Sequence, residues 1–513
     1  MAQSRTALLT WSLLSSATLA VALPAAQPAI TPPPILDRRA LDRLERRDLD
    51  AGSYLGSVFS SLGSGVSSFV ASGVPQYFNE LPTGTAVESS LGISSSDVAA
   101  SPTLALNVPP YANWTEQGWN VRVHGNIYKR PNISQEKLDD LANVFLIDVD
   151  IDQLPQSQQD QARNLTSEIY VLQQDDEQVT INFVNDVTVN PDTDSGGINA
   201  AGGSQTITLP YNTTVEGDFD SFVVLKNTTG SNGTGHLIPG NETNQVQLLN
   251  VYVEGAATTG NATAYLVPDT GITIISDIDD ILRITKIWDP KEGLLNSFAR
   301  PFTPWLNMPD IYANWSKTIS NLHFHYLTTT PEQVTKNYMD FIYKTYPLGS
   351  FDTRPLNFSD VSATLAIRKF LLDRIFQTFP QRKFILVGDT SNSDVMSDYP
   401  GLVSAYPGQV QCILLRNSTS TDSSDIFPYN TKGFKGMDQD MYMFFNVPDD
   451  LKNLDIVNGH CYNASVQENV TFDEQGLPWG IGSAANGLEP PSRWRSIGLG
   501  AGILMMMAAL CSQ

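Results

Sequence analysis

The sequence is short of cysteine, of basic residues and of long apolar runs, and each shortage removes a class of function. Only three cysteines occur in 513 residues, at Cys412, Cys461 and Cys511. None forms a CxxC pair or a cysteine–histidine spacing suited to zinc, and a disulfide-dense scaffold is excluded. Lys and Arg number 31 against 54 Asp and Glu, a net charge of −23. Nucleic-acid binding rests on a basic surface, so no nucleic acid is expected as a partner, and long-range attraction to anionic membranes is disfavoured. Screening confines that repulsion to about 8 Å at physiological salt, so a local site can still engage a phosphate. No internal repeat is found, which excludes solenoid and propeller architectures.

The two apolar stretches that exist are terminal and short. MAQSRTALLTWSLLSSATLAVA, with Arg5 ahead of an apolar run and small residues at Ala20 and Ala22, reads as a signal peptide over residues 1–22. Residues 23–47 are Pro-rich and hold the dibasic pairs Arg38-Arg39 and Arg46-Arg47, as in a propeptide with Asp48 as the mature start. At the other end, Ile497 to Leu510 falls short of the ~20 residues that span a bilayer. A polar spacer precedes it, then small residues from Gly482 to Gly487, the order of a glycolipid-anchor signal over 488–513. Ser483, Ala484 or Asn486 is the expected attachment point. Thirteen Asn-x-Ser/Thr sequons fit the same routing: Asn113, Asn132, Asn164, Asn212, Asn227, Asn232, Asn241, Asn261, Asn314, Asn357, Asn417, Asn463 and Asn469. They are expected at the surface. The chain is therefore expected in the secretory pathway, extracellular or at the cell surface and glycolipid-anchored. With Cys511 in the tail, Cys412 and Cys461 remain as a disulfide or as two buried thiols.

Between these ends the texture changes twice. Residues 48–105 are expected to be a Ser/Gly-rich linker with at most one short helix. Residues 106–268 hold short alternating runs (WNVRVH, VTINFV, QTITL, DFDSFVVL, VQLLNVYV) between Asn/Gly/Asp clusters, which predict a β-rich, sandwich-like domain with one helix near Ser134 to Phe145. His124 and His236 read as ordinary surface or strand histidines. From 269 to 462 strands alternate with helices: Ile272–Ser276, His323–Leu327, a helix from Glu332 to Thr345, another from Ala363 to Phe379, then Lys383–Val387 and Gln409–Leu415. That alternation predicts an α/β domain built on a parallel sheet. Residues 463–487 form a C-terminal segment.

Three predicted strands end in reactive residues. The first runs into SDIDDIL, with Asp277, Asp279 and Asp280; the second into TTTP, with Thr328; the third into GDTSNSD, with Asp389 and Asp394. In a parallel sheet these ends share one rim, the usual ligand side. Carboxylates there supply hard oxygen ligands suited to Mg²⁺, and hydroxyl and amide groups can hold phosphate oxygens. Asp280 reads as a supporting turn residue. His323 and His325 read as core-edge residues rather than metal ligands.

These motifs together resemble the haloacid dehalogenase-like phosphatase superfamily. The fuller match of SDIDDILRIT, FHYLTTTP and FPQRKFILVGDTSNSD with YPGQVQCILLRN resembles the catalytic domain of fungal actin-patch-type phosphatidate phosphatases. YANWTEQGWNVRVHGNIYKRP likewise resembles the segment opening that family's β-rich domain. The resemblance implies a haloacid dehalogenase-like Rossmannoid sheet and Mg²⁺-dependent hydrolysis of phosphatidate to diacylglycerol and phosphate via an aspartyl-phosphate. It implies Asp277 as nucleophile, Asp279 as general acid and base, and Thr328 with Lys369 or Arg368 as phosphate-binding groups. Asp277, the Asp279 backbone, Asp389 and Asp394 are the implied metal site. The sequence departs from the family at Ile281, in place of Thr or Val, and in GDTSNSD, which lacks a second glycine. Alternatives are a secreted phosphomonoesterase acting on another substrate and a catalytically vestigial cell-surface protein. Oligomeric state has no sequence signal.

Overall fold

A computed structural model describes residues 94–475 except 147–148, 186–202, 230–235, 239–244, 257–259, 355–360, 426–428, 467–470 and 473. The signal-peptide, propeptide and anchor segments, residues 48–93 of the linker and the sequons at Asn232, Asn241, Asn357 and Asn469 lie outside the described residues. No helix among the described residues is long and apolar enough to cross a membrane.

The β-rich part contains β1 (Thr103–Val108), β2 (Tyr111–Thr115), β3 (Gly118–Lys129), β4 (Leu172–Gln173), β5 (Thr180–Val184), β6 (Ser204–Thr208), β7 (Asp218–Leu225), β8 (Gln247–Val253) and β9 (Asn261–Leu266). The β-rich, sandwich-like part expected from the sequence is one hydrogen-bonded network of nine strands that branches at β3, and β3 and β7 share an apolar core with β5 and β8. The cause is length: β3 has 12 residues, enough to pair β1 and β2 along one edge while β7 pairs the other. β1 begins inside the stretch read as linker. Two helices, not one, interrupt the strands: α1 (Gln135–Phe145), capped by the Ser134 hydroxyl, and α2 (Gln156–Ile169). α2 is polar but buries Ala162, Leu165 and Ile169, a single narrow stripe at helical spacing.

Period-two alternation gives β3 two different faces. Trp119, Val121 and Val123 enter an apolar core with Phe219, Val223 and Leu225 of β7. Asn120, Arg122, His124 and Asn126 point the other way and are also buried. Arg122 and His124 are met there by the second half of the chain.

That half is an α/β unit. Its sheet holds β10 (Ile272–Asp277), β11 (Leu322–Pro331), β12 (Ser350–Arg354), β13 (Lys383–Asp389), β14 (Val410–Arg416) and β16 (Tyr442–Phe445), in the order β12-β11-β10-β13-β14-β16, all pairs parallel. A small antiparallel pair, β15 (Tyr429–Asn430) with β17 (Glu474–Gln475), lies apart and ties the C-terminal segment to the unit. The helices are α3 (Pro290–Phe298), α4 (Met308–Thr318), α5 (Glu332–Thr345), α6 (Val361–Thr378) and α7 (Ser393–Ala405). β10 is buried along its whole length because both faces are covered. Ile272 and Ile274 pack on one side with Met308, Tyr312 and Ile342 of α4 and α5. Ile275 packs on the other with Leu371, Ile375 and Val395 of α6 and α7. Cys412 of β14 is disulfide-bonded to Cys461, with Cα atoms 5.7 Å apart.

The two halves meet through ion pairs. Arg122 of β3 pairs with Asp352 of β12 and with Asp220 of β7, and Arg374 of α6 reaches the same Asp220 at 2.7 Å. His124 lies against the Phe351 carbonyl at 3.1 Å, so it is a buried interface group rather than a surface histidine, and burial pushes it down to about 3. His236 is exposed. His323 and His325 both hydrogen-bond Ser350, as expected of core-edge residues. Of the described sequons, Asn132, Asn164, Asn212, Asn227, Asn261 and Asn314 are exposed and Asn417 and Asn463 half-buried. Asn113 departs from the surface expectation: it is buried in β2, and a glycan on its amide nitrogen does not fit this packing.

Candidate active site

Sheet order decides where a site can form. The chain lays down β10 first, adds β11 and β12 on one side, then β13, β14 and β16 on the other. β10 is therefore the switch point, and the crevice beyond its carboxyl end is the natural ligand site. Register then brings the predicted residues together. Asp277 ends β10 opposite Leu327, so Thr328 follows directly on one flank; Ser276 pairs with Val387, so Asp389 lies two residues further on the other.

Asp277 is buried, and its Oδ1 accepts the Ile278 N–H at 2.9 Å. Nη2 of Arg368 lies 3.2 Å from its Oδ2. Burial pushes the Asp277 carboxyl up, Arg368 draws it down and Asp279 adds a smaller upward push. Lys369, the neighbouring candidate, is not brought to the site: it is exposed and pairs with Asp373 at 2.6 Å on the outer face of α6. Successive helical residues point about 100° apart, so only one of such a pair can face the crevice. Here it is Arg368.

Asp280 carries the turn rather than the chemistry. Its φ is +58°, and its carboxylate accepts the N–H groups of Thr285, Lys286 and Ile287 at 3.0, 2.8 and 3.0 Å. Arg416 donates to its carbonyl at 2.5 Å. Ile281 is fully buried in the apolar core beside Ile278 and Leu282, a position that needs bulk and no hydroxyl.

Thr328 is buried at the end of the paired part of β11, its hydroxyl donating to the Thr330 hydroxyl at 3.0 Å and accepting the Thr330 N–H. Asp389 ends β13. Its Oδ1 takes the Ser391 N–H and hydroxyl and the Asn392 N–H, at 2.7, 2.6 and 3.2 Å. Two backbone donors and one hydroxyl thus hold the loop that lacks the second glycine. Gly388 is still required, since a Cβ there would stand 2.8 Å from Val395 Cγ1. Asn392 caps α7, whose first turn carries Asp394.

The rim is over-supplied with buried acid. Burial, with the charges of Asp280 and Asp277, pushes Asp389 up to about 8. Burial also raises Asp394 to about 7, against the pull of Arg368. Asp389 Oδ2 is buried with no protein partner. Such an oxygen normally has one, so the donor set suits a hard cation. No cluster of three or more His, Cys, Asp or Glu able to cage a metal is found among the described residues.

Asp279 is held by residues that sequence reasoning missed. Its Oδ1 accepts the Thr285 hydroxyl at 2.7 Å and the Tyr338 hydroxyl at 3.3 Å, and Arg283 Nη1 stands 3.9 Å away. No sequence signal marked Tyr338, which is 59 residues downstream.

With this geometry in view, similarity to known proteins narrows the chemistry. Residues 272–417 match the family described as Phosphatidate phosphatase APP1, catalytic domain. The segment is similar to that catalytic domain. A curated relative, Phosphatidate phosphatase APP1 of Saccharomyces cerevisiae (strain ATCC 204508 / S288c), is 29% identical over 164 residues. That alignment covers 30% of this chain and 27% of the relative, so the chain matches about a quarter of that protein's length. The matched family segment runs from the start of β10 to just past β14 and contains every rim residue described above.

Proposed function

We propose that this chain is a Mg²⁺-dependent phosphatidate phosphatase that releases diacylglycerol and inorganic phosphate through a phosphoryl group carried on Asp277. The observation that carries the reading is the convergence of Asp277, Thr328, Arg368 and Asp389 at the sheet's switch point, within the segment that matches the catalytic domain. The all-parallel order around β10 also supports the haloacid dehalogenase-like assignment of the fold.

An Asp277 oxygen attacks phosphorus as the bond from phosphorus to the glycerol oxygen breaks. The protonated Asp279 carboxyl gives its proton to the departing alkoxide. Its carboxylate then takes a proton from the water that attacks the phosphoaspartate, which restores Asp277 and frees phosphate. Arg368 offers a fixed guanidinium fork, and Thr328 a hydroxyl, to the oxygens of the transferring group. Asp277, Asp389 and the Asp279 carbonyl, with Asp394 in support, would hold Mg²⁺, which when bound supplies positive charge to the phosphoryl oxygens.

The same reading places the enzyme on the secretory route, at the cell surface through a glycolipid anchor. The Cys412–Cys461 bond and the exposed sequons support an oxidising, glycosylating compartment.

The test is phosphate release by the purified chain from phosphatidate in mixed micelles and from soluble phosphomonoesters, with Mg²⁺ or with chelator. Mg²⁺-dependent release that prefers phosphatidate supports the proposal. Release from soluble esters alone replaces the substrate, and no release from either ends the enzyme reading.

A further inference from the structure

Three side chains gather at one oxygen, Oδ1 of Asp279. The Thr285 and Tyr338 hydroxyls donate to it, and the nearest nitrogen of Arg283 stands 3.9 Å from it. These contacts leave Oδ2 as the oxygen they do not hold. Exposure is graded in the same sense: the Asp279 side chain keeps 17% of its surface, whereas Arg283, Thr285 and Tyr338 are 0%, 2% and 3% exposed. The arrangement is a buried clamp behind a partly exposed carboxylate.

Each part of the clamp is itself fixed. The Thr285 N–H donates to Asp280 Oδ1 at 3.0 Å, and its carbonyl accepts the Asn296 amide at 3.0 Å. Tyr338 stands on α5, its ring edge-on to Phe302 at 5.4 Å. The Arg283 guanidinium lies 4.0 Å from the Phe302 ring centroid and 4.7 Å from that of Tyr338, and it donates to the Asn296 carbonyl at 2.8 Å. Its Nε and Nη1 have no hydrogen-bond partner, so the cation is held chiefly by aromatic faces and the charge of Asp279.

We propose that Thr285 and Tyr338, backed by Arg283, are positioning residues that fix the Asp279 carboxyl so that Oδ2 faces the leaving oxygen. The inference rests on the phosphatase reading above and deepens it. Orientation matters because a carboxyl free to rotate presents its proton in the required direction only part of the time, and proton transfer needs hydrogen-bond reach and alignment. Neither positioning residue touches substrate. Both act through Asp279, and no atom is transferred to or from either.

The consequence depends on the leaving group. An alkoxide leaves poorly without a proton, whereas p-nitrophenolate leaves unaided. The value of kcat/KM reports the steps through the first phosphoryl transfer, so loss of an aligned acid shows there for an alkyl ester and not for the nitrophenyl ester. The experiment compares the full chain with Thr285→Val, Thr285→Ser and Tyr338→Phe, each checked for an unchanged circular dichroism spectrum. Substrates are short-chain phosphatidate and p-nitrophenyl phosphate. General acid–base catalysis contributes about 10²–10⁴-fold, so loss of alignment is expected to lower kcat/KM on the alkyl ester by roughly tenfold or more. The loss on the nitrophenyl ester is expected to be at least about tenfold smaller, with Thr285→Ser restoring most of the difference. Equal losses on both esters, or no loss on the alkyl ester, overturn the inference and leave the phosphatase reading standing. A wild-type chain inactive on both esters overturns the reading and the inference together.

Discussion

Arg368 Nη2 lies 3.2 Å from Asp277 Oδ2, and both side chains are buried. The pair sets a cation beside the proposed nucleophile, where the family resemblance left Arg368 and Lys369 as alternatives. Removing one fixed donor to a developing oxyanion typically costs about 10²–10³ in kcat. Arg368→Gln is expected to fall in that range. Arg368→Lys should lie between it and wild type, because it keeps charge and loses the planar fork. Lys369→Ala, on the exposed face, should stay within about twofold of wild type. Steady-state phosphate release decides this, and a larger loss for Lys369→Ala than for Arg368→Gln would reverse the assignment.

The lone Oδ2 of Asp389 leads to a binding prediction that needs no turnover. A ligand that binds only the folded state raises the unfolding midpoint, by about 2.7 kcal/mol at a hundred times its dissociation constant. Wild type should therefore gain thermal stability on titration with Mg²⁺. Asp389→Asn should show no gain, and Asp394→Asn a smaller one, reflecting a supporting place. Identical Mg²⁺ responses in all three proteins would remove Asp389 from the metal site.

The contact between the β-rich sheet and the α/β unit should set the acid limit of stability. Burial alone would push Asp352 and Asp220 up, but Arg122, aided by His325 and His124 at Asp352 and by Arg374 at Asp220, holds both well below the carboxylate range. A depressed folded pKa gives stability that is present above the unfolded value, about 3.9, and is lost as pH falls below it. Wild type should accordingly lose stability steeply below about pH 4. Asp352→Asn cannot titrate, so it should start lower and decline less steeply. Urea unfolding midpoints from pH 3 to pH 6 measure both slopes, and parallel curves would assign the acid limit to other groups. Arg122→Ala strands the buried Asp352 carboxylate, while Asp220 keeps Arg374, and is expected to cost about 3–5 kcal/mol.

The contrast between what the sequence revealed and what it hid is physical. β10 and β13 were legible because a strand covered on both faces must be apolar along its length, and the carboxylates then stand out at its end. The helix from Glu332 to Thr345 was legible to its limits, as was the helix that Ser134 caps. α2 was missed because three apolar residues in a polar stretch are enough when a groove already exists to receive them. The sheet that branches at β3 could not be foreseen, since alternation marks faces and not partners. His124 and Asp352 gain meaning only when two distant segments meet. The clamp on Asp279 was hidden for the same reason: Thr285, Arg283 and Tyr338 have nothing in their spacing that marks them.

The central claim, that Asp277 carries the phosphoryl group, is tested most directly by trapping it. The full chain is mixed with phosphatidate labelled at the phosphate in the presence of Mg²⁺, quenched in acid within the turnover time, and mapped by peptide mass spectrometry. The account predicts a phosphoryl adduct on Asp277 in the wild-type chain that is absent from Asp277→Asn. Phosphate release by wild type with no adduct at Asp277, or undiminished turnover by Asp277→Asn, would contradict it.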